Sequence, residues 1–459
     1  MTLTLTDLFC GAGGSALGAT AVPGIELRMA ANHWQTAVDS HAANFPHADH
    51  DCADISQVDP RRYPSTDLLW ASPECTNHSI AQGRKRFAQP DLFGETLPPE
   101  AAERSRATMW DVPRFAEHHR YRAVVVENVV DAARWQLWPA WLHAMHCLGY
   151  RHQVVYLNSM HAPAVAAPRA PQSRDRLYVV FSREGVPRPE VQPRPMAWCE
   201  RCERDVSAVQ SWKKPHQPWG RYRAQYLYRC PAPRCHAVVE PYTLPAAAAI
   251  DWDLPGQRIG DRATPLKPAT LRRIETGLAR YATAPQLVPV EARQGKHARP
   301  AWVPLRTQTT RAETALVVPY YGADQHADTV DRPLRTLTAV DRFGLAFVAE
   351  LRGGGSNARP VTEPLATVTA AGNHHGLVHH PTPPATGTPR VEDCAFRMLQ
   401  PTEIQTAMAF RPDYEVLGTR RERVRQLGNA VTPPAAEHLL TAIAQALGYH
   451  APTTEKEAA

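Results

Sequence analysis

The alternating run Leu3-Thr4-Leu5-Thr6-Asp7-Leu8-Phe9 breaks directly into Cys10-Gly11-Ala12-Gly13-Gly14-Ser15-Ala16-Leu17-Gly18. That is a strand, a glycine-rich turn and a helix start. A helix that leaves a strand so abruptly must pack back on the sheet, which is the opening of a parallel α/β unit. The glycines let backbone N–H groups approach an anionic or polar ligand at the positive end of the helix. Alone, this turn fits any nucleotide or adenosyl ligand. More apolar runs follow, each ending in polar residues. Ile25 to Ala31 ends at Asn32-His33-Trp34, an edge carries Cys52-Ala53-Asp54-Ile55, and Asp67-Leu68-Leu69-Trp70 ends at Ser72-Pro73-Glu74-Cys75. Polar groups and an aromatic at successive strand ends read as an adenosine pocket.

Pro73 ends its strand and leaves Cys75 on the following loop, where a thiol faces the ligand crevice of an open α/β sheet. The competing reading is a small buried hydrophobe. Tyr121 to Val126 is a β-branched strand that ends in Glu127-Asn128-Val129, and a carboxyl placed after such a run is not a surface ornament. Val154 to Leu157 and Gln172 to Phe181 supply a further strand pair. The stretch Gly83 to Pro113, with Arg84, Lys85, Arg86 and Arg104 among Pro90, Pro98 and Pro99, reads as a mobile basic loop or a solvated insertion.

The chain has 459 residues, enough for two or three domains, with 43% apolar and 21% charged residues. No apolar run reaches membrane-spanning length and the N-terminus lacks the basic start of a signal peptide, so a cytoplasmic protein without a membrane partner is expected. Net charge is +6, with 45 Arg against 6 Lys. Arginine suits phosphate and guanine, but a coding bias gives the same excess, so charge only permits nucleic acid. Nine cysteines without an export signal argue against a disulfide framework. Cys199-x-x-Cys202 and Cys230-x4-Cys235, separated by 27 residues, have the spacing of a structural zinc ribbon at about 196–240, with His236 able to replace Cys235. Between the pairs lie Trp212, Lys213, Lys214, Trp219, Arg221, Tyr222, Arg223, Tyr226 and Tyr228, which suit either a phosphate-tracking surface or a small aromatic core. Further on, Val303 to Thr309, Arg332 to Thr338 and Glu363 to Thr369 share Pro-Leu-x-Thr-x-Thr, with a degenerate copy from Thr264. Apolar strands such as Ala315 to Val318 and Leu345 to Val348 follow them, so β-rich repeats are expected at about 260–380.

In their order along the chain these motifs resemble the cytosine-C5 DNA methyltransferases that use S-adenosylmethionine. Asp7 to Gly14, Pro73-Glu74-Cys75, Glu127-Asn128-Val129, Gln172-Ser173-Arg174-Asp175-Arg176, Arg397 to Glu403 and Gln426-Leu427-Gly428-Asn429-Ala430-Val431 carry the likeness. It implies an α/β fold: a Rossmann-like S-adenosylmethionine-dependent methyltransferase core with an inserted, β-rich, zinc-containing recognition domain. Residues 1–184 and 391–450 would form the core, 185–390 the target recognition domain, and 451–459 a disordered tail. The resemblance implies that Cys75 adds to C6 of a flipped cytosine, that Glu127 holds the base edge, and that Arg176, with Arg174 nearby, contacts O2. Phe9 and Trp34 would flank the adenine, with Gly11, Ala12, Gly13, Gly14, His33, Asp54, Ile55, Pro73, Asn429 and Ala430 completing the cofactor site. Glu74 and Thr76 around the thiol, and His33 where an acidic residue is usual, depart from the family pattern. Double-stranded DNA is the implied partner of a monomeric bacterial or phage enzyme, with a restriction endonuclease acting separately. An RNA substrate or a non-methyl donor is the alternative.

Overall fold

A computed structural model describes residues 2–73, 99–281 and 390–449, together with the short segments 286–287, 291–292, 299–300, 314–318, 346–350, 352–354, 358–360 and 375–379. The chain forms two compact units. The first comprises Met1–Pro168, Asp175–Tyr242 and Val431–Ala459, and the second Arg169–Arg174 and Thr243–Ala430.

The first unit is built on a seven-stranded sheet. Its strands are β1 (Leu3–Leu8), β2 (Ile25–Asn32), β3 (Asp49–Cys52), β4 (Leu68–Ala71), β5 (Ala123–Asn128), β6 (Tyr150–Asn158) and β7 (Asp175–Arg183), in the order 3-2-1-4-5-7-6. Neighbours from β3 to β5 are parallel, and β7 runs antiparallel between β5 and β6. Every residue of β4 and of β5 is buried, as the unbroken apolar runs require when helices cover both faces of a parallel sheet. The helices are α1 (Gly14–Thr20), α2 (Gln35–Asn44), α3 (Pro99–His119) and α4 (Trp138–Cys147), joined by the C-terminal helix Pro433–Ala446. That last helix lies so close to α1 that a Cβ on Gly18 would stand 2.3 Å from the Pro433 carbonyl oxygen. Its buried Glu437 also accepts from the backbone N–H groups of Val165, Ala166 and Ala167 at 2.8, 2.8 and 2.6 Å, which fixes the loop before β7.

The expectation of a loop running to Pro113 is corrected by α3, which begins at Pro99. Proline at a first helical position gives up a donor that has no partner there anyway, so Pro99 starts the helix instead of breaking it. Pro113 lies inside, and its missing N–H leaves the Met109 carbonyl without its helical donor. The indole N–H of buried Trp141 donates to that oxygen at 2.8 Å. Residues 83–98 lie outside the described residues.

Residues 196–239 pack as β8 (Met196–Cys199), β9 (Arg204–Ser207), β10 (Val209–Trp212), β11 (Tyr226–Arg229) and β12 (Val238–Val239), paired as an antiparallel hairpin and a three-stranded antiparallel sheet. Buried Tyr222, Tyr226 and Tyr228 form one cluster with Tyr156 of β6, Leu177 of β7 and Val130 just after β5. Of the two readings of this stretch, the core one holds for the tyrosines, while Lys213 and Lys214 are exposed.

In the second unit, a six-stranded sheet runs in the order Gln257–Arg258, Ala395–Met398, Thr314–Val318, His375–His379, Ala346–Glu350, Ala358–Pro360. The strands expected at Ala315 and Leu345 are thus present. The three full repeat motifs lie outside the described residues. The degenerate copy at Thr264 is followed not by a strand but by α5 (Pro268–Tyr281). Two shorter helices follow, α6 (Pro401–Ala407) and α7 (Arg420–Asn429). The Arg397 to Glu403 motif closes on itself: the Arg397 guanidinium meets the Glu403 carboxylate through two hydrogen bonds of 2.7 and 2.8 Å, in a site where both side chains are buried. Among the described residues no helix is long and apolar enough to cross a membrane.

Candidate functional site

Parallel strands bring their carboxyl ends to one edge of a sheet, and a ligand crevice opens where the strand order reverses. Here the reversal falls between β1 and β4, which are paired Leu8 to Ala71, with the Ser72 N–H donating to the Leu8 carbonyl at 3.1 Å. The glycine turn leaves β1 at that point. Phe9, Gly11 and Gly13 all have positive φ, of 60, 53 and 82°. Glycine adopts this geometry without strain and phenylalanine does not, so Phe9 is held by its surroundings. Gly13 caps α1, Gly14 begins it, and Ala12 is buried between them. Beneath the turn, Asp7 is completely buried and accepts from the Ser15 hydroxyl at 2.6 Å, while its other oxygen, Oδ1, has no partner among the described residues. Burial pushes its pKa up to about 7, with the Ser15 bond opposing.

At the end of β2 the Asn32 side chain accepts from the Trp34 N–H at 3.0 Å, holding the half-buried Trp34 beside an exposed His33. After β3, exposed Asp54 caps a short turn by accepting from the Ser56 N–H at 3.1 Å, and Ile55 is buried below it. The β1–β2–β3 edge thus gathers Phe9, Gly11, Ala12, Gly13, Gly14, His33, Trp34, Asp54 and Ile55. A glycine turn whose backbone N–H groups open at a helix start, with an indole and a carboxylate on the neighbouring strand ends, fits a polar adenosyl ligand such as S-adenosylmethionine.

The β4–β5–β7 edge carries Pro73, Glu127 and Arg176. Pro73 is buried, and its carbonyl accepts from the Asn128 amide at 3.2 Å. Cys75 and Glu74 lie outside the described residues. Glu127 and Arg176 form an ion pair of 2.9 Å, with side chains only 8% and 12% exposed, so solvent screens it little. Arg176 also donates to the Asp175 carbonyl at 3.0 Å. Asp175 itself is pushed up to about 6 by burial, against a hydrogen bond from the Tyr222 N–H at 3.0 Å. Arg174, in the second unit, is buried and donates to the carbonyls of Gly428 and Ala430 at 3.1 and 2.9 Å. Its guanidinium closes the carboxyl end of α7, where Asn429 is exposed and Ala430 buried. Asn128, Asp175 and Ser15 stand within the sequence motifs, but the motifs assign them no task. For Asn128 and Asp175 the available signal is a polar residue at the end of an apolar strand.

Cys199, Cys202, Cys230 and Cys235 converge, with all four sulfurs within 4.8 Å of one another. The Cys199–Cys235 and Cys202–Cys230 sulfur distances are 3.6 and 3.7 Å. A disulfide needs about 2.05 Å. Thiolates about 2.3 Å from a tetrahedral zinc stand roughly 3.8 Å apart, so the set fits that ion. Each pair sits on a tight turn, with the Cys202 N–H donating to the Cys199 carbonyl and the Cys235 N–H to that of Ala232. The residue after each turn, Glu203 or His236, is left-handed. Cys235, rather than His236, is the fourth member of the cluster.

Residues 3–207 match the family model described as C-5 cytosine-specific DNA methylase. Among curated relatives, the type II methylase M.HgiEI of Herpetosiphon aurantiacus is 29% identical over 180 residues, which is 38% of this chain and 36% of that protein. The type II methyltransferase M.HgiBI of the same organism matches with the same identity and coverage. The chain thus spans only about a third of the length of these relatives. Among solved structures, a Spodoptera frugiperda DNMT2 variant covers 96% of this chain and 99% of its own at a TM-score of 0.50 and 13% identity, a likeness of fold alone. Over residues 3–207, the stretch that carries the glycine turn, Pro73 and the Glu127–Arg176 pair, the chain is similar to the C-5 cytosine-specific DNA methylases.

Proposed function

We propose that the chain transfers a methyl group from S-adenosylmethionine to C5 of a cytosine flipped out of double-stranded DNA. The observation that carries this is the Glu127–Arg176 pair on the edge where Asn128 holds the Pro73 carbonyl, beside the glycine turn of β1. C5 of cytosine is a poor nucleophile. A thiolate at Cys75 adds to C6 and converts the ring to an enamine, which makes C5 nucleophilic. Glu127 donates to or accepts from the N3 and amino edge, and Arg176 fixes that carboxylate while reaching O2. After transfer a base removes the C5 proton, the ring electrons re-form the C5–C6 double bond, and Cys75 leaves. S-adenosylmethionine supplies an electrophilic methyl on sulfur, and the Gly11 to Gly14 turn, Phe9, Trp34 and Asp54 would hold it. Flipping costs a few kcal/mol, because C6 is stacked out of reach in a duplex.

In this reading Arg174 acts by closing α7, and zinc on Cys199, Cys202, Cys230 and Cys235 is structural. The second unit's β-rich part reads the target sequence. DNA containing 5-fluorocytosine should be trapped in a complex that survives denaturation, since fluorine cannot leave as the C5 proton does. Cys75→Ser should abolish trapping and methyl transfer while S-adenosylmethionine still binds. Trapping that maps to Cys10 or Cys52, or methylation of RNA alone, would overturn the reading.

A further inference from the structure

We infer that the four-cysteine ribbon is the positioning element for the Glu127–Arg176 pair, so that metal loading governs turnover as well as the ribbon's own stability. The inference rests on the function proposed above. One stretch of the ribbon, Trp219 to Tyr222, ties to both sides of the pair. The Trp219 indole N–H donates to the Val130 carbonyl at 3.0 Å, and Arg221 forms an ion pair of 2.7 Å with Asp131. Val130 and Asp131 continue the chain just beyond Glu127-Asn128-Val129. The Tyr222 N–H donates to the Asp175 carboxylate at 3.0 Å, and Asp175 adjoins Arg176 and accepts from it through its carbonyl. A carboxylate and a guanidinium that must meet a base edge within a fraction of an ångström are thus braced from a single loop.

That loop is in turn braced by the cysteines. Tyr222 packs against the rings of Tyr226 and Tyr228 at 5.8 and 5.7 Å between centroids, and β11, which carries both, runs straight into Cys230. Cys199 and Cys230 are buried in the same cluster as these tyrosines and Val130. Arg134 lies over the Trp219 ring at 4.2 Å and adds a further tie to the segment after β5. All of these contacts fall on the β5, β7 and β6 side of the sheet, whereas the glycine turn belongs to β1, on whose far side β2 and β3 continue. Loosening the ribbon should therefore lower the rate with the base and leave the cofactor in place.

The test uses the full chain, with Trp219→Phe, which keeps the ring packing and removes one N–H, and Arg221→Ala, with Arg221→Lys as the conservative partner. Expected are a kcat lowered ~10-fold for Trp219→Phe and Arg221→Ala, since small misplacements near reacting groups cost on that order. Zinc content and KM for S-adenosylmethionine should be unchanged, and Arg221→Lys should recover most of the loss. In parallel, amide hydrogen exchange at residues 129–134 and 174–178 should quicken in both variants and in chelator-treated wild type, while β1 and β2 hold their protection. Variants that turn over at the wild-type rate, or exchange that rises equally in β1 and β2, would overturn the inference. If wild-type chain does not methylate cytosine at all, the function proposed above fails on its own, and the exchange comparison alone decides whether the ribbon braces these segments.

Discussion

Asp7 combines two properties that seldom coexist, complete burial and an oxygen without a partner among the described residues. In the folded chain without cofactor its carboxyl stays protonated until about pH 7, against an ordinary 3.8. The folded state therefore holds a proton that the unfolded chain releases, and stability should fall as pH rises from about 4 to about 7. His41, buried and pushed down to about 3, works in the opposite sense, because its unfolded form binds the extra proton. The clean measurement is thus the difference between wild type and Asp7→Asn in thermal unfolding from pH 4 to 8. The variant keeps an acceptor for Ser15 and should gain on wild type as pH rises through that window; parallel curves would mean that the carboxyl is not held neutral. Residues of this kind were only partly legible in the sequence. Glu127 stood out because a carboxyl closes a run of apolar residues. Asn128 and Asp175 did not, because their partners are a carbonyl at Pro73 and an N–H at Tyr222, far along the chain.

At the scale of elements, the strands of the first unit were readable because their periodicity and their polar ends coincide, and α3 was missed because three prolines nearby looked like breakers. What the sequence could not tell was that Pro99 would occupy a first turn and that the damage at Pro113 would be repaired from α4. The Met109 carbonyl loses its helical donor to Pro113 and gains the Trp141 indole. Trp141→Phe should therefore leave a buried carbonyl unsatisfied, costing about 1–3 kcal/mol beyond any loss of packing. Pro113→Ala restores the N–H in the helix and should suppress most of that cost in the double variant. The coupling, read from urea unfolding of the four proteins, is the observable. Additive effects would mean that the indole bond and the missing helical donor are unrelated.

At the scale of the molecule, folding assembles units that are discontinuous in sequence. A division drawn along the chain groups 185–390 together, yet packing joins the stretch up to Tyr242 to the unit of the seven-stranded sheet, and the last helix packs over Gly18 of the same unit. Sequence spacing can show that four cysteines suit a metal, but not what the metal's ribbon leans on. The ribbon's interior, in which Ala197, Val206, Ala208 and Val239 join the tyrosines and two buried thiols, is continuous with Val130, Tyr156 and Leu177, so it closes no separate core of its own. Small folds of this kind draw their folding energy from the metal, whose binding requires that the thiols ionise and converge. Purified chain should accordingly carry ~1 zinc per molecule. Cys199→Ser with Cys202→Ser should lose it and unfold 196–239 while β1 to β5 persist, seen as lost exchange protection confined to the ribbon and the segments that it braces. Because the sulfurs stand in contact at 3.6 and 3.7 Å without being bonded, mild oxidation of metal-free chain should form cross-links that a chain whose thiolates are held by the ion resists. A metal-free preparation with an unchanged melting curve, or equal oxidation with and without zinc, would show that these four cysteines meet for reasons of packing alone.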